Sequence, residues 1–184
     1  MNIKSLLYIL TILLIITGCS TSKQKIQEQK IINEFDGAPT WIKAPKLENY
    51  ISDVGISLNT AETFNIQRDA AIEKAKANLA QKLNEKIINI FSLIGKKYIN
   101  DDIFLEKIED ANNLLVSNAI NESRVTKLWK SNNNNIYVMV SSNISKLKKD
   151  LRNIVETSFK DFSKIQGEYR LYLEQGNIDI ELNN

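Results

Sequence analysis

The 184-residue sequence contains no histidine and a single cysteine, Cys19. Histidine is the commonest general base, the commonest metal ligand and the usual partner of a serine or cysteine nucleophile. Phosphate-binding glycine loops, zinc-type spacings and nucleophile elbows are also missing. The Asp101-Asp102 and Glu109-Asp110 pairs lie in very polar surroundings, so we interpret them as solvated helix ends rather than acid–base pairs or a calcium site. We therefore predict that the protein is not an enzyme and needs no cofactor or metal.

An excess of charge of one sign is missing as well. The chain has 24 Lys and Arg residues against 22 Asp and Glu residues, a net charge of +2. No run of basic residues with interleaved aromatic residues occurs, so we predict no binding to nucleic acid. The 43% apolar content and the length suit one globular domain with a real core.

The first residues have the pattern of an export signal. One lysine precedes an apolar run from Leu6 to Ile16, which is shorter than the roughly 20 residues that a membrane-spanning helix needs. Ile16-Thr17-Gly18-Cys19 then resembles the lipobox of bacterial lipoproteins. In that motif the cysteine thiol becomes linked to diacylglycerol, and the peptide bond before it is cut. The alternative is a membrane anchor followed by an incidental thiol.

The lipobox predicts the organisation of the whole chain. Cys19 would carry a covalent diacylglycerol and an N-acyl chain, which together hold a protein firmly on a membrane. Ser20 in place of an aspartate favours the cell outer membrane, with the periplasmic or surface face left open. We expect a signal peptide (1–18), the lipidated cysteine with a flexible tether (19–37), a folded domain (38–166) and a C-terminal extension (167–184).

Hydrophobic periodicity in the folded domain predicts an α+β fold, a small antiparallel sheet with helices packed on one face. The expected strands are Tyr50–Leu58, Val125–Lys130 and Ile136–Ser141, with a hairpin turn in Asn132–Asn135. The expected helices start near Thr60, Ile103 and Ser145, and the third carries Phe159, Phe162 and Ile165 on its apolar face. The stretch Ile87–Leu93 could alternatively be a strand. The tail from Glu168 could be a hairpin, a continued helix or a frayed end.

Two tryptophans are the large aromatic side chains that could mark a site. Trp41 lies between Pro39 and Pro45, where the backbone should be irregular. Trp129 lies in a predicted strand. Both are interpreted as core anchors, with a partner-facing role as the alternative.

Three pieces of the sequence resemble, in order, the LPP-twenty family of small outer-membrane lipoproteins, to which the flagellar lipoprotein FlgP is related. The first is Pro39-Thr40-Trp41-Ile42. The second is Val54-Gly55-Ile56-Ser57, followed by an alanine-rich helix from Arg68 to Ala80. The third is Trp129 with Tyr137-Val138-Met139-Val140. The family has a strand after its alanine-rich helix, where this chain still looks helical.

The resemblance implies a membrane-anchored, non-catalytic protein, sometimes tied to motility structures. We therefore expect an assembly or structural role in the cell envelope, with self-association or an envelope protein as partner. Two alternatives stay open. One is a periplasmic activator that reaches a partner from the membrane, and the other is a small-ligand-binding lipoprotein with an apolar pocket under its helices.

Overall fold

The computed structural model describes residues 34–60, 62–98 and 100–183. The chain divides into two compact units, of which the first comprises residues 1–38 with 131–133. In its described part the side-chain amide of Asn133 donates to the Glu34 carboxylate, with 2.6 Å between the two atoms. The predicted signal peptide, the lipobox and most of the predicted tether lie outside the described residues.

The second unit, residues 39–130 with 134–184, holds three strands and five α-helices among its described residues. Two short 3-10 turns, Thr40–Ile42 and Lys96–Tyr98, complete these elements. This composition confirms the predicted α+β fold. In chain order the elements are β1 (Tyr50–Ser57), α1 (Phe64–Ile94), α2 (Asp102–Asn121), β2 (Arg124–Lys130), β3 (Ile136–Asn143), α3 (Ile144–Ser158), α4 (Ser163–Glu174) and α5 (Asn177–Asn183).

The sheet is antiparallel and has the order β1-β3-β2. β3 is therefore the central strand, and both β1 and β2 are edge strands. The predicted turn before β3 is confirmed at Asn134, whose φ of 62° is a left-handed value that asparagine tolerates better than most residues. β1 pairs with β3 although α1 and α2 lie between them in the sequence, and the register runs from Tyr50 opposite Asn143 to Ser57 opposite Ile136.

The helices cover one face of this sheet, as predicted. Ile136, Val138 and Val140 of β3 belong to one buried core that also contains residues of all five helices. Tyr137 and Met139 alternate with them and are buried outside that core, because successive strand residues point to opposite faces. β3 is consequently buried on both faces, which explains its almost unbroken apolar sequence.

The contact between β1 and α1 is close because small residues meet there. Ala71 and Ala75 of α1 are fully buried, and Gly55 of β1 lies directly against their backbone. A Cβ atom at position 55 would overlap the Ala71 carbonyl oxygen and the Ala75 nitrogen, and would lie 2.9 Å from the Ala75 Cα. Glycine in this strand therefore marks a close backbone approach, one of the two readings that such a residue allows.

α1 extends without interruption to Ile94, so the alternative of a strand at Ile87–Leu93 is wrong. Ile87, Ile90 and Phe91 recur at helical spacing and are all buried against the other helices. A helix of 31 residues is about 46 Å long, far longer than an eight-residue strand. The C-terminal part of α1 therefore packs among helices rather than on the sheet.

The prediction that the third helix carries Phe159, Phe162 and Ile165 on one face is wrong, because α3 ends at Ser158 and α4 begins at Ser163. The two phenylalanines instead enter an aromatic cluster. Phe159 contacts the ring of Phe91 at 5.4 Å between centroids, and Phe162 contacts that of Tyr98 at 5.2 Å. Tertiary packing of these rings replaces helical continuation at this point.

The tail continues as two short helices, α4 and α5, with a turn at Gly176, where φ is 72°. Their apolar residues join the same core as the sheet and α1. These buried residues are Ile165, Tyr169, Ile178 and Leu182.

Candidate interaction surface

The predicted lipidation site, Cys19, and the other lipobox residues, Ile16, Thr17 and Gly18, lie outside the described residues. Among residues 34–60, 62–98 and 100–183, no helix combines the length and the apolar character that crossing a membrane requires. The same residues contain no group of three His, Cys, Asp or Glu side chains placed to hold a metal ion.

The structure separates the two predicted aromatic anchors. Trp41 is buried in the 3-10 turn Thr40–Ile42, which contacts β3. Trp129 is half-buried on β2 and packs against Tyr137 of β3, with ring centroids 5.2 Å apart. Since Trp129 is opposite Tyr137 in the register, both lie on the sheet face away from the helical core. Trp41 is thus buried against β3 outside the main apolar core, whereas Trp129 borders the exposed edge of the sheet.

The predicted carboxylate pairs lie at or on α2. The Asp101 carboxylate accepts a hydrogen bond from the Phe104 N–H at 3.0 Å and thereby caps the helix. Asp102 occupies the exposed first turn, and Glu109 and Asp110 are exposed further along the helix. These positions fit the interpretation of Asp101 and Asp102 as a solvated helix end. The same interpretation of Glu109 and Asp110 is wrong, because α2 continues from Asp102 to Asn121 and places this pair in its middle, on an exposed face.

Side chains of α1 cover the outer edge of β1. The Asn78 side-chain amide donates to the Val54 carbonyl oxygen at 2.8 Å. The Lys82 ammonium donates to the Ser52 carbonyl oxygen at 3.0 Å and lies 3.5 Å from the Asp53 carboxylate. Two carbonyl groups that would face a further strand therefore already have partners, and β1 cannot accept another strand without losing them.

The β2 edge (Arg124–Lys130) differs from the β1 edge in this respect. Among the described residues, no hydrogen bond from outside the sheet reaches a backbone group of β2. Its outward N–H and C=O groups therefore form an open row, the usual template for a further strand. Val125 and Leu128 add exposed apolar surface here, at 46% and 42% exposure.

A bulge gives β2 its side-chain arrangement. Val125 is opposite Val140, Leu128 is opposite Val138, and the register shifts between Val125 and Lys127. Residues three apart would ordinarily point to opposite faces, but the extra residue places Val125 and Leu128 on the same, helix-covered face. The bulge thus aligns two exposed apolar side chains beside the core.

The charges on β2 all have one sign. Arg124, Lys127 and Lys130 are its only charged residues. None of the three has an ion pair with another described residue. The β2 edge is therefore a positively charged strip on a chain whose net charge is only +2.

A polar cleft of about 520 Å³ lies where α2 leads into β2 and β3 leads into α3. Thr126 and Ser141 line it, and their hydroxyl oxygens are 2.8 Å apart. Lys146 lies between the carboxylates of Glu122, at 3.3 Å, and Asp150, at 2.5 Å. The hydrogen bond to Asp150 is the main reason why the pKa of Lys146 is raised. The cleft has balanced charge and many hydrogen-bonding groups.

The sequence reasoning identified the β2 strand and Trp129 but not the open edge. The signal that was available is the run Arg124-Val125-Thr126-Lys127-Leu128-Trp129-Lys130, in which basic residues recur without any acidic residue. Lysine is the residue that exposed strand edges most often carry.

No family model matches this chain, and no curated protein matches it.

Proposed function

We propose that this chain is an outer-membrane-anchored bacterial lipoprotein of the LPP-twenty type. Its folded domain would contribute a binding surface to an assembly of the cell envelope, with flagellum-associated structures as one setting. It would reach the membrane through the lipid on Cys19 and would have no catalytic role.

The observation that carries the assembly role is the contrast between the two edges of the sheet. β1 is closed by Asn78 and Lys82, whereas the β2 edge keeps an open row of backbone groups beside exposed Val125 and Leu128. Monomeric proteins cover or shorten such an edge, or protect it with basic residues and bulges. The basic residues and the bulge of β2 discourage pairing with an identical edge, but they leave Val125 and Leu128 exposed, and a partner in the cell would cover these two side chains.

The anchor is tested by labelling cells with a palmitate analogue and fractionating their membranes. The wild-type chain should carry the label in the outer membrane, and Cys19→Ala should lose it. An unlabelled wild-type chain would refute the lipidation.

The assembly role is tested by crosslinking in living cells. A photo-crosslinking residue at Val125 or Leu128 should give a defined protein adduct. The same residue at Ile103, which is 63% exposed on α2, serves as the matched control. Absence of adducts from both β2 positions would count against an assembly role through this edge.

The polar cleft favours a second candidate, a small-ligand-binding lipoprotein. Its balanced charges and its hydroxyl groups suit a polar, uncharged or zwitterionic ligand rather than the apolar one expected from the sequence. A ligand screen that follows the melting temperature would test it, with Glu122→Gln as the variant. A compound that stabilises the wild type but not the variant would support this role.

A further inference from the structure

We propose that the β2 edge binds an extended, acidic segment of a partner protein, which pairs with β2 and adds a fourth strand to the sheet. This inference rests on the proposed assembly function and names the chemical class of its partner. Strand addition of this kind takes its affinity from backbone hydrogen bonds and its selectivity from alternate side chains.

The backbone of β2 can pair with a further strand along its outer side. β2 is hydrogen-bonded on one side only, because β3 occupies the centre of the sheet and β2 the edge. From Lys127 to Lys130 the pairing with β3 is regular, so this stretch has the extended geometry that a new strand needs. The other edge offers no equivalent stretch, since Asn78 and Lys82 bind the carbonyl groups of Val54 and Ser52.

The basic residues of β2 predict that the partner strand is negatively charged. Arg124, Lys127 and Lys130 are spread over the whole strand, and no acidic residue of β2 offsets them. In an antiparallel pair, opposite charges across two strands are favourable and like charges are unfavourable. A strand with aspartate or glutamate at alternate positions would therefore be attracted, whereas a basic strand would be repelled.

The same charges argue against a second copy of this chain at the β2 edge. In a symmetric antiparallel pair of β2 strands, Lys127 would lie near its own counterpart, and Arg124 would lie near Lys130 of the other copy. Basic residues on strand edges ordinarily prevent such self-pairing. The strip is therefore selective, because it blocks identical edges and leaves the edge open to an acidic one.

The exposed apolar side chains of β2 predict on which face the partner strand should carry apolar residues. Val125 and Leu128 project on the helix-covered face of the sheet, next to buried Val138 and Val140, yet stay largely exposed themselves. An added strand with apolar residues on this face would cover both. The partner segment should thus carry apolar residues on this face and acidic residues on the other face, where Arg124 and Lys127 lie; Lys130, opposite Ile136, is on the helix-covered face.

Peptide titration of the full mature chain in detergent micelles tests the proposal. The probes are a nine-residue peptide of alternating glutamate and valine and a matched peptide of alternating lysine and valine. Binding is followed by backbone amide shifts of β2 in NMR spectra. We expect the acidic peptide to bind at least about tenfold more tightly and to perturb Arg124–Lys130. Equal binding of both peptides, or perturbation elsewhere only, would overturn the proposal.

Two controls separate strand pairing from simple charge attraction. In the double variant Lys127→Glu and Lys130→Glu the preference should reverse toward the lysine peptide, which also shows that the variant is folded. The acidic peptide should then be N-methylated at alternate amides in two complementary versions. One version blocks the edge that would pair with β2, and only this version should lose binding. Equal binding of the two versions would refute strand addition.

The crosslinking experiment in cells distinguishes failure of this inference from failure of the proposed function. Adducts from Val125 or Leu128, together with no preference for the acidic peptide, would retain an assembly role and refute the acidic strand. Absence of both adducts and peptide binding would refute the two proposals together.

Discussion

Replacement of Gly55 by alanine should be one of the most damaging single-methyl changes in this chain. The added Cβ would lie 2.9 Å from the Ala75 Cα and still closer to two backbone atoms of α1, whereas an ordinary contact needs about 3.4 Å or more. Backbone atoms cannot rotate away as side-chain ends can. The new methyl group therefore has to push α1 and β1 apart along their shared contact.

The expected loss of stability follows from overpacking of a tight core. Extra methylene groups in well-packed cores destabilise proteins by about 1–3 kcal/mol. We expect roughly 3 kcal/mol for Gly55→Ala, because three backbone atoms of one helix are met at once. For a chain of this size that corresponds to a melting temperature lower by about 6–12 °C.

Chemical denaturation of the unlipidated chain, followed by circular dichroism, measures this effect. Gly167→Ala is the matched control, because Gly167 lies inside α4 and a Cβ there meets nothing within 4 Å. Alanine in a helix interior should raise stability by about 0.5–1 kcal/mol over glycine. A loss below about 1 kcal/mol for Gly55→Ala would mean that α1 can separate from the sheet easily, and would refute the close-approach argument.

Substitutions at three further positions test other parts of the fold. Tyr169→Phe should raise the free energy of unfolding at neutral pH by about 1 kcal/mol, because the buried hydroxyl has no hydrogen bond of good geometry with a described residue. Arg152 lies near enough to act on this hydroxyl electrostatically. Burial raises the pKa of Tyr169 above 10.0. Above pH 10 the unfolded chain therefore loses the Tyr169 proton first, and the stability of the wild type should fall. Denaturation across alkaline pH should show a smaller fall for Tyr169→Phe, and equal curves for the two proteins would contradict this. Asn134→Ala should lower stability by about 1 kcal/mol because of its positive φ, whereas Asn134→Gly should not, as judged by denaturant midpoints. Lys82→Met should lower the free energy of unfolding by about 1 kcal/mol, because the hydrogen bond from the Lys82 ammonium to the Ser52 carbonyl oxygen is lost. Slower amide exchange in β1 of the variant would argue against a role of Lys82 in covering the β1 edge.

The order of elements was predictable because each has its own periodicity. The β1 strand shows alternation at Val54 and Ile56, and α1 shows apolar residues every three or four positions. The predictions that failed concern segments in which tertiary contacts override the local sequence pattern. Phe159 and Phe162 fit a continuing helix by spacing alone, yet their rings find better partners in Phe91 and Tyr98 across the core.

The candidate surface was less predictable, because it depends on strand order. Periodicity identifies β2 as a strand but does not reveal that β1 returns to the far side of β3 and leaves β2 at an edge. The covering of the β1 edge by side chains of α1 could not be predicted from the sequence either. Asn78 and Lys82 resemble ordinary polar residues of an exposed helix face, and only the packed fold brings them to the carbonyl groups of the strand.

The sheet order also has a kinetic consequence. Ser52 and Ser141, whose hydroxyl groups meet between β1 and β3, are 89 positions apart in the chain. Closing a loop of that length has an entropic cost of about 4 kcal/mol, whereas the β2–β3 hairpin and α1 form from local contacts. β1 should therefore join the sheet late. Until it does, the apolar strand β3 would have one side unpaired. The folding chain would then expose an aggregation-prone segment after its local elements have formed.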